Sequence, residues 1–169
     1  MQNFMQKYNL SGASQGIKIV TTIFLIFMLI GIATNLLISY AKTGWSYSGL
    51  IEYYRGVESG YPKTYLELLE TTHFHIFSMP VVFLILAHVF LMSSWSYRLK
   101  IMVIIISFLA MLAEICSPWL ITYVSPEFGV LMIFSGIILA ISLLIYIFVP
   151  IYEMWFMRVS NGNNDRNSK

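Results

Sequence analysis

Three imidazoles and one carboxyl stand inside stretches of this chain that are otherwise apolar. His73, His75 and His88 all fall within 71–97, TTHFHIFSMPVVFLILAHVFLMSSWSY, and the sequence holds no other histidine. Glu114 interrupts a second apolar run, with Cys116 and Ser117 close behind it. Imidazole can ligate a metal ion or haem iron, or carry a proton near neutral pH, and a nearby carboxyl can take up a proton in turn. In an apolar setting a charged side chain is not cheap: it costs about 2.5–3.5 kcal/mol on insertion scales and is normally paired. These residue types point to redox, proton or metal chemistry inside a membrane, with His75 and Glu114 as catalytic candidates.

Helical geometry sorts the candidates. His73 and His88 are 15 positions apart, which places them about 60° apart around a helix and about 22 Å apart along it. His75 and His88 diverge by about 220° and point to nearly opposite sides. One helix thus offers an imidazole towards each face of the bilayer, as a transmembrane electron path needs. A single transition metal held by His73, His75 and Glu114 is a competing expectation. It requires an irregular helix start, because His73 and His75 are about 200° apart on an ideal helix. Glu70 and His73 form one Glu-x-x-His pair, half of what a di-iron bundle uses, which argues against a di-iron centre.

The elements that position these groups follow from composition. Hydrophobic residues make up 58% of 169, charged residues 11%, and mean hydropathy is +0.75. A soluble domain of this size cannot bury so much apolar surface, so the chain belongs to the membrane class. A formal charge of +2 gives no reason to expect nucleic acid as a partner. The single cysteine, Cys116, excludes an intrachain disulfide. Four continuous apolar runs, about 17–40, 71–97, 99–123 and 128–149, each suit one helical crossing. The first is longer than the apolar core of a signal peptide and is read as a retained span. The fold class is all-α: an integral membrane four-helix up-down bundle over 17–159, with an outer loop at 41–70. A polar arm at 1–16 precedes it, and a polar tail at 160–169 is read as disordered.

Lys and Arg set the expected orientation. Lys7, Lys18, Arg98, Lys100, Arg158, Arg166 and Lys169 fall on one side, against Lys42, Arg55 and Lys63 on the other. Both termini are therefore expected in the cytoplasm, in a plasma (bacterial inner) membrane. Within the outer loop, Pro62 suits the first turn of a short interfacial helix, PKTYLELLE, that leads into the second span. Tyr53, Tyr54 and Arg55 are placed to cover a site from outside.

The polar residues cluster in the outer half: Asn35 and Ser39, then His73, His75 and Ser78, then Glu114 and Ser117, then Ser135. Pro80 and Pro118 each free a carbonyl near that level. An outward-facing polar pocket between spans 1, 2 and 3 is the expectation. The alternative is a set of packing kinks with Glu114 neutral and hydrogen-bonded.

The pair formed by His73 or His75 with His88 on one span resembles the membrane cytochromes b, in which paired histidines on facing helices hold haem near each side of a four-helix core. The resemblance covers only the second span. It implies haem b bound through His73, His75 and His88. The other spans hold no histidine, so a second axial ligand must come from a methionine (Met79, Met111 or Met132) or from the same span of a second copy. The resulting expectation is a small membrane redox subunit that binds haem b, or a quinone at His75 and Glu114. It would act in the lipid bilayer as a homodimer or as part of a larger membrane complex. A non-enzymatic anchor, assembly or sensor subunit is the alternative.

Overall fold

The first three helices start where the sequence supplies a side-chain cap. The computed structural model describes residues 10–58 and 60–157. Helix α1 (Gln15–Thr43) starts at Ser14, whose hydroxyl accepts from the Ile17 amide, and ends at Gly44 in the left-handed region. Helix α2 (Tyr47–Arg55) lies between Ser46 and the left-handed Gly56. Helix α3 (Tyr65–Leu91) opens with a capping box, Thr64 and Glu67 each bonding the other's backbone amide. Helices α4 (Tyr97–Tyr123) and α5 (Phe128–Phe156) follow. No strand occurs among the described residues. Four of the five helices, all but α2, are long and apolar enough to cross a membrane.

Helix α5 is the centre of the bundle. It touches α1, α2, α3, α4 and a short 3-10 turn at Leu10–Gly12, with α4 as its most extensive neighbour. Its buried side follows a helical period: Ser135, Leu139, Ser142, Tyr146, Pro150 and Glu153. Ser107, Met111 and Ser117 repeat the same period on α4. Small and hydroxyl-bearing residues let two membrane helices approach and bond to each other. Phe83 and Phe90 of α3 close the core by packing their rings on Tyr146.

The bundle has two distinct ends. At one, α2 lies across α4 and α5, and Tyr47 donates its hydroxyl to the Pro126 carbonyl. Trp119 also anchors there, bonding Thr72 across to α3. At the other, Trp155 reaches Thr22, and the turn between α3 and α4 meets the last turn of α5. Trp45 and Trp119 thus mark the α2 end, and Trp95 and Trp155 the Glu153 end, as interfacial tryptophans do in membrane proteins.

Several boundaries differ from expectation. The short helix of the loop is Tyr47–Arg55, not Pro62–Glu70. In the latter stretch Pro62 and Lys63 precede the N-cap Thr64, and Tyr65–Glu70 already belongs to α3, because the capping box at Thr64 opens a helix that runs unbroken into the span. Helix α5 continues through Pro150 to Phe156, since the apolar run does not stop there. The described part of the N-terminal arm is not loose: Leu10 and Ser11 are buried, with Leu10 in the core cluster. Lys7, Arg158, Arg166 and Lys169, and with them the tail 160–169, lie outside the described residues.

Candidate functional site

The three histidines share α3 but not one environment. His73 is exposed and packs its ring against Phe77, 5.0 Å between centroids. His88 is exposed too, with Nδ1 3.2 Å from the Leu84 carbonyl. His75 is half-buried on the bundle-facing side, its Nδ1 2.7 Å from the Thr71 carbonyl. A carbonyl only accepts, so Nδ1 of His75 and of His88 is the donor in these contacts. Around His88 and His73 the outer side of α3 is apolar: Phe74, Phe77, Val81, Leu84 and Ile85 are all exposed.

Glu114 lies elsewhere, between α4 and α5 near the α2 end. Its Oε2 accepts from the Ser135 hydroxyl at 2.5 Å, and its oxygens lie over Gly136, where an added Cβ would sit 3.8 and 3.9 Å from them. Helix α2 covers this region: Ile51, Tyr47 and Leu50 pack on Gly129 of α5. Tyr54 is half-buried, and its hydroxyl is pushed above its ordinary value first by burial, then by the neighbouring Tyr53 and by Glu114. Tyr53 in turn stands between two ammonium groups, Lys42 at 5.2 Å and Lys63 at 4.9 Å from its ring centre. Lys63 is held above its usual range mainly by its hydrogen bond to Glu67.

The expected grouping is therefore only partly assembled. Among the described residues His75 and Glu114 form neither a hydrogen bond nor an ion pair: each has found a closer partner, Thr71 on its own helix and Ser135 on α5. No three His, Cys, Asp or Glu side chains among the described residues are placed to hold one ion, so His73, His75 and Glu114 do not form a common metal site. Met79 packs against the core, Met111 is buried in it, and Met132 is half-buried on α5. Asn35 is exposed on α1, because α1 packs on α5 and α2 rather than closing a pocket between α3 and α4.

A family model for a transmembrane helical domain, Aq_1264_TM, matches residues 44–161, most of the chain. The chain belongs to this family. No curated protein and no solved structure matches it. The Aq_1264_TM match takes in α2, α3, α4 and α5, hence all three histidines, Glu114 and Tyr54, and leaves α1 outside.

Within the Aq_1264_TM domain, three sets of polar contacts escaped the sequence reading. Glu153 is 2% exposed, and both of its oxygens accept from the Ser94 amide, at 2.9 and 2.8 Å, with a third bond from the Ser94 hydroxyl at 2.7 Å. Beside it, Lys100 donates to the Leu91 and Ser93 carbonyls and so caps the end of α3. Further in, the Tyr146 and Ser107 hydroxyls meet at 2.8 Å between α5 and α4. The available signal was the apolar run continuing past Pro150, which carries Glu153 along the same helix towards the serine-rich turn SSWS.

Proposed function

We propose that this Aq_1264_TM domain is a membrane redox subunit that holds haem b on the outer side of α3, through His73 and His88. The observation that carries this reading is the exposure of both imidazoles on a helix long and apolar enough to cross a bilayer. They stand about 22 Å apart along the axis. A histidine kept for packing belongs inside the bundle, hydrogen-bonded. An ionisable side chain turned to lipid calls for a partner.

The residues present fit the group. Nδ1 of His88 is engaged by the Leu84 carbonyl, which leaves Nε2 as the nitrogen that would ligate, as a ligating imidazole commonly has its other nitrogen hydrogen-bonded. Phe77, Val81, Leu84 and Ile85 offer an apolar flank. Haem b when bound supplies one-electron transfer. The protein's part is to hold the ligating nitrogens at two depths and to keep water from them. With Met79 and Met111 packed into the core, the same helix of a second copy would supply the further ligand at each level. Paired about an axis along the membrane normal, two α3 helices bring His73 to His73 and His88 to His88. The charge distribution supports an orientation with the α2 end outside the cytoplasm.

The test is an absorption spectrum of the full chain purified in detergent from haem-replete cells. The expected result is a Soret band and a dithionite-reduced α-band, with His73→Ala and His88→Ala each removing about half of the haem. A colourless, haem-free preparation overturns the reading. It would favour the alternative of an anchor or assembly subunit, which the fully engaged polar contacts between α4 and α5 support.

A further inference from the structure

We infer that the outward face of α4 at the Glu153 end is a phospholipid site: an acyl chain lies in a groove between two rows of side chains, and Arg98 at its mouth holds the phosphate. The inference does not rest on haem, and none of its residues lies on α3.

Helical geometry makes the groove. Tyr97, Ile101 and Ile105 form one row at four-residue spacing, and Arg98, Met102 and Ile106 form the next. Between them runs an open groove of about 380 Å³ whose walls below Arg98 are apolar. At a rise of about 1.5 Å per residue, 97–106 extends about 14 Å, close to the roughly 15 Å of hydrocarbon in one leaflet. The groove points away from the bundle. Ser107 is buried against α5, about 200° round the helix from Ile105, while Met102, Ile105 and Ile106 are exposed. Rows of this kind commonly receive a second helix, but no other described helix lines this groove.

Charge names the occupant. Among the described residues the cations at this end are Lys18, Arg98 and Lys100. Lys18 donates to the Ser11 carbonyl, and Lys100 to the carbonyls of Leu91 and Ser93. Arg98 is exposed and bonds to none of the described residues. The carboxyl at this end, Glu153, is buried and taken by Ser94. A guanidinium offers a fork of donors that matches phosphate, which is what a phospholipid carries at the membrane surface. A second copy of α4 is the competing occupant. Paired about an axis along the membrane normal, it would set Arg98 against Arg98, with no free acid to relieve the contact. A phospholipid supplies both an apolar chain for the groove and an anion for its mouth.

Native mass spectrometry of the full chain, titrated in detergent with phosphatidylglycerol or with phosphatidylcholine, tests this. Both lipids carry a phosphate, but the choline ammonium opposes Arg98. The expected result is one phosphatidylglycerol retained at ratios where phosphatidylcholine is lost. Arg98→Gln removes a group that makes no bond within the described protein, and is expected to weaken this binding about fivefold, the worth of one basic residue near an anionic surface. Met102→Trp fills the groove with Arg98 still in place and is expected to weaken it at least as much. Lys42→Gln, at the α2 end, should leave it unchanged. Equal retention of the two lipids, an equal loss in Lys42→Gln, or phosphatidylglycerol binding untouched by Arg98→Gln or by Met102→Trp overturns the site. A lipid-free dimer that Met102→Trp splits gives the groove to a second copy and overturns it as well.

Discussion

At the scale of single residues, the polar groups of this bundle divide by what they face. Ser107, Tyr146 and Glu153 are buried and paired, and their role is cohesion between helices. Glu153 is the strongest case, because one carboxyl takes the Ser94 amide and hydroxyl together and so fixes the α3–α4 turn on the end of α5. Truncating it leaves a backbone amide unpaired, so Glu153→Ala is expected to cost about 2–3 kcal/mol. Glu153→Gln keeps an acceptor and should cost about half of that. Thermal unfolding of the two variants in detergent measures the difference, and equal melting temperatures in both variants and the parent chain would refute the latch. His73 and His88 belong to the other class, exposed groups whose partner is not within this chain.

At the scale of elements, α2 is held by glycines as much as by contacts. Gly56 closes it in the left-handed region (φ 58°), and a Cβ there would lie 2.3 Å from the Tyr61 backbone. Both effects oppose any side chain. Gly136 differs: a Cβ there meets the Glu114 oxygens at ordinary contact distance, 3.8 and 3.9 Å. Gly56→Ala is therefore expected to loosen α2 from the bundle, and Gly136→Ala to leave it seated. Limited proteolysis of the 44–64 segment reads this directly, with faster cleavage in Gly56→Ala alone. The short helix is also where sequence reading slipped. Tyr53, Tyr54 and Arg55 stand within α2 itself, whereas the sequence pattern places the interfacial helix from Pro62 onwards. An amphipathic pattern fits a short helix and the start of a long one equally, and the capping box at Thr64, two residues after Pro62, joined to the following apolar run decides for continuation.

At the scale of the molecule, the helices are unequal partners. Helix α5 is central, while α1 buries a single residue, Leu25, and lies outside the family match. Much of the apolar surface of α1, α3 and α4 faces outward, which the bilayer covers. The proposed pairing of α3 with a second copy predicts contact along Phe77, Val81 and Leu84. In a Cys116→Ser background, Val81→Cys is expected to cross-link under mild oxidation in membranes, whereas Leu109→Cys, exposed on α4, is not. Cross-linking at neither position, or equally at both, would remove the pairing.

Length and hydropathy by themselves determined that four helices of this chain suit a bilayer, because only helices satisfy a lone apolar segment's backbone there. They also located the His and Glu candidates, since polar atoms are conspicuous against such a background. Partner choice was beyond them. A 100° rotation per residue says which side chains share a face of one helix, but not which helix that face meets. The tertiary structure decided that α5 sits in the middle, so Glu114 meets Ser135 rather than His75, and two imidazoles of α3 are left on the outside.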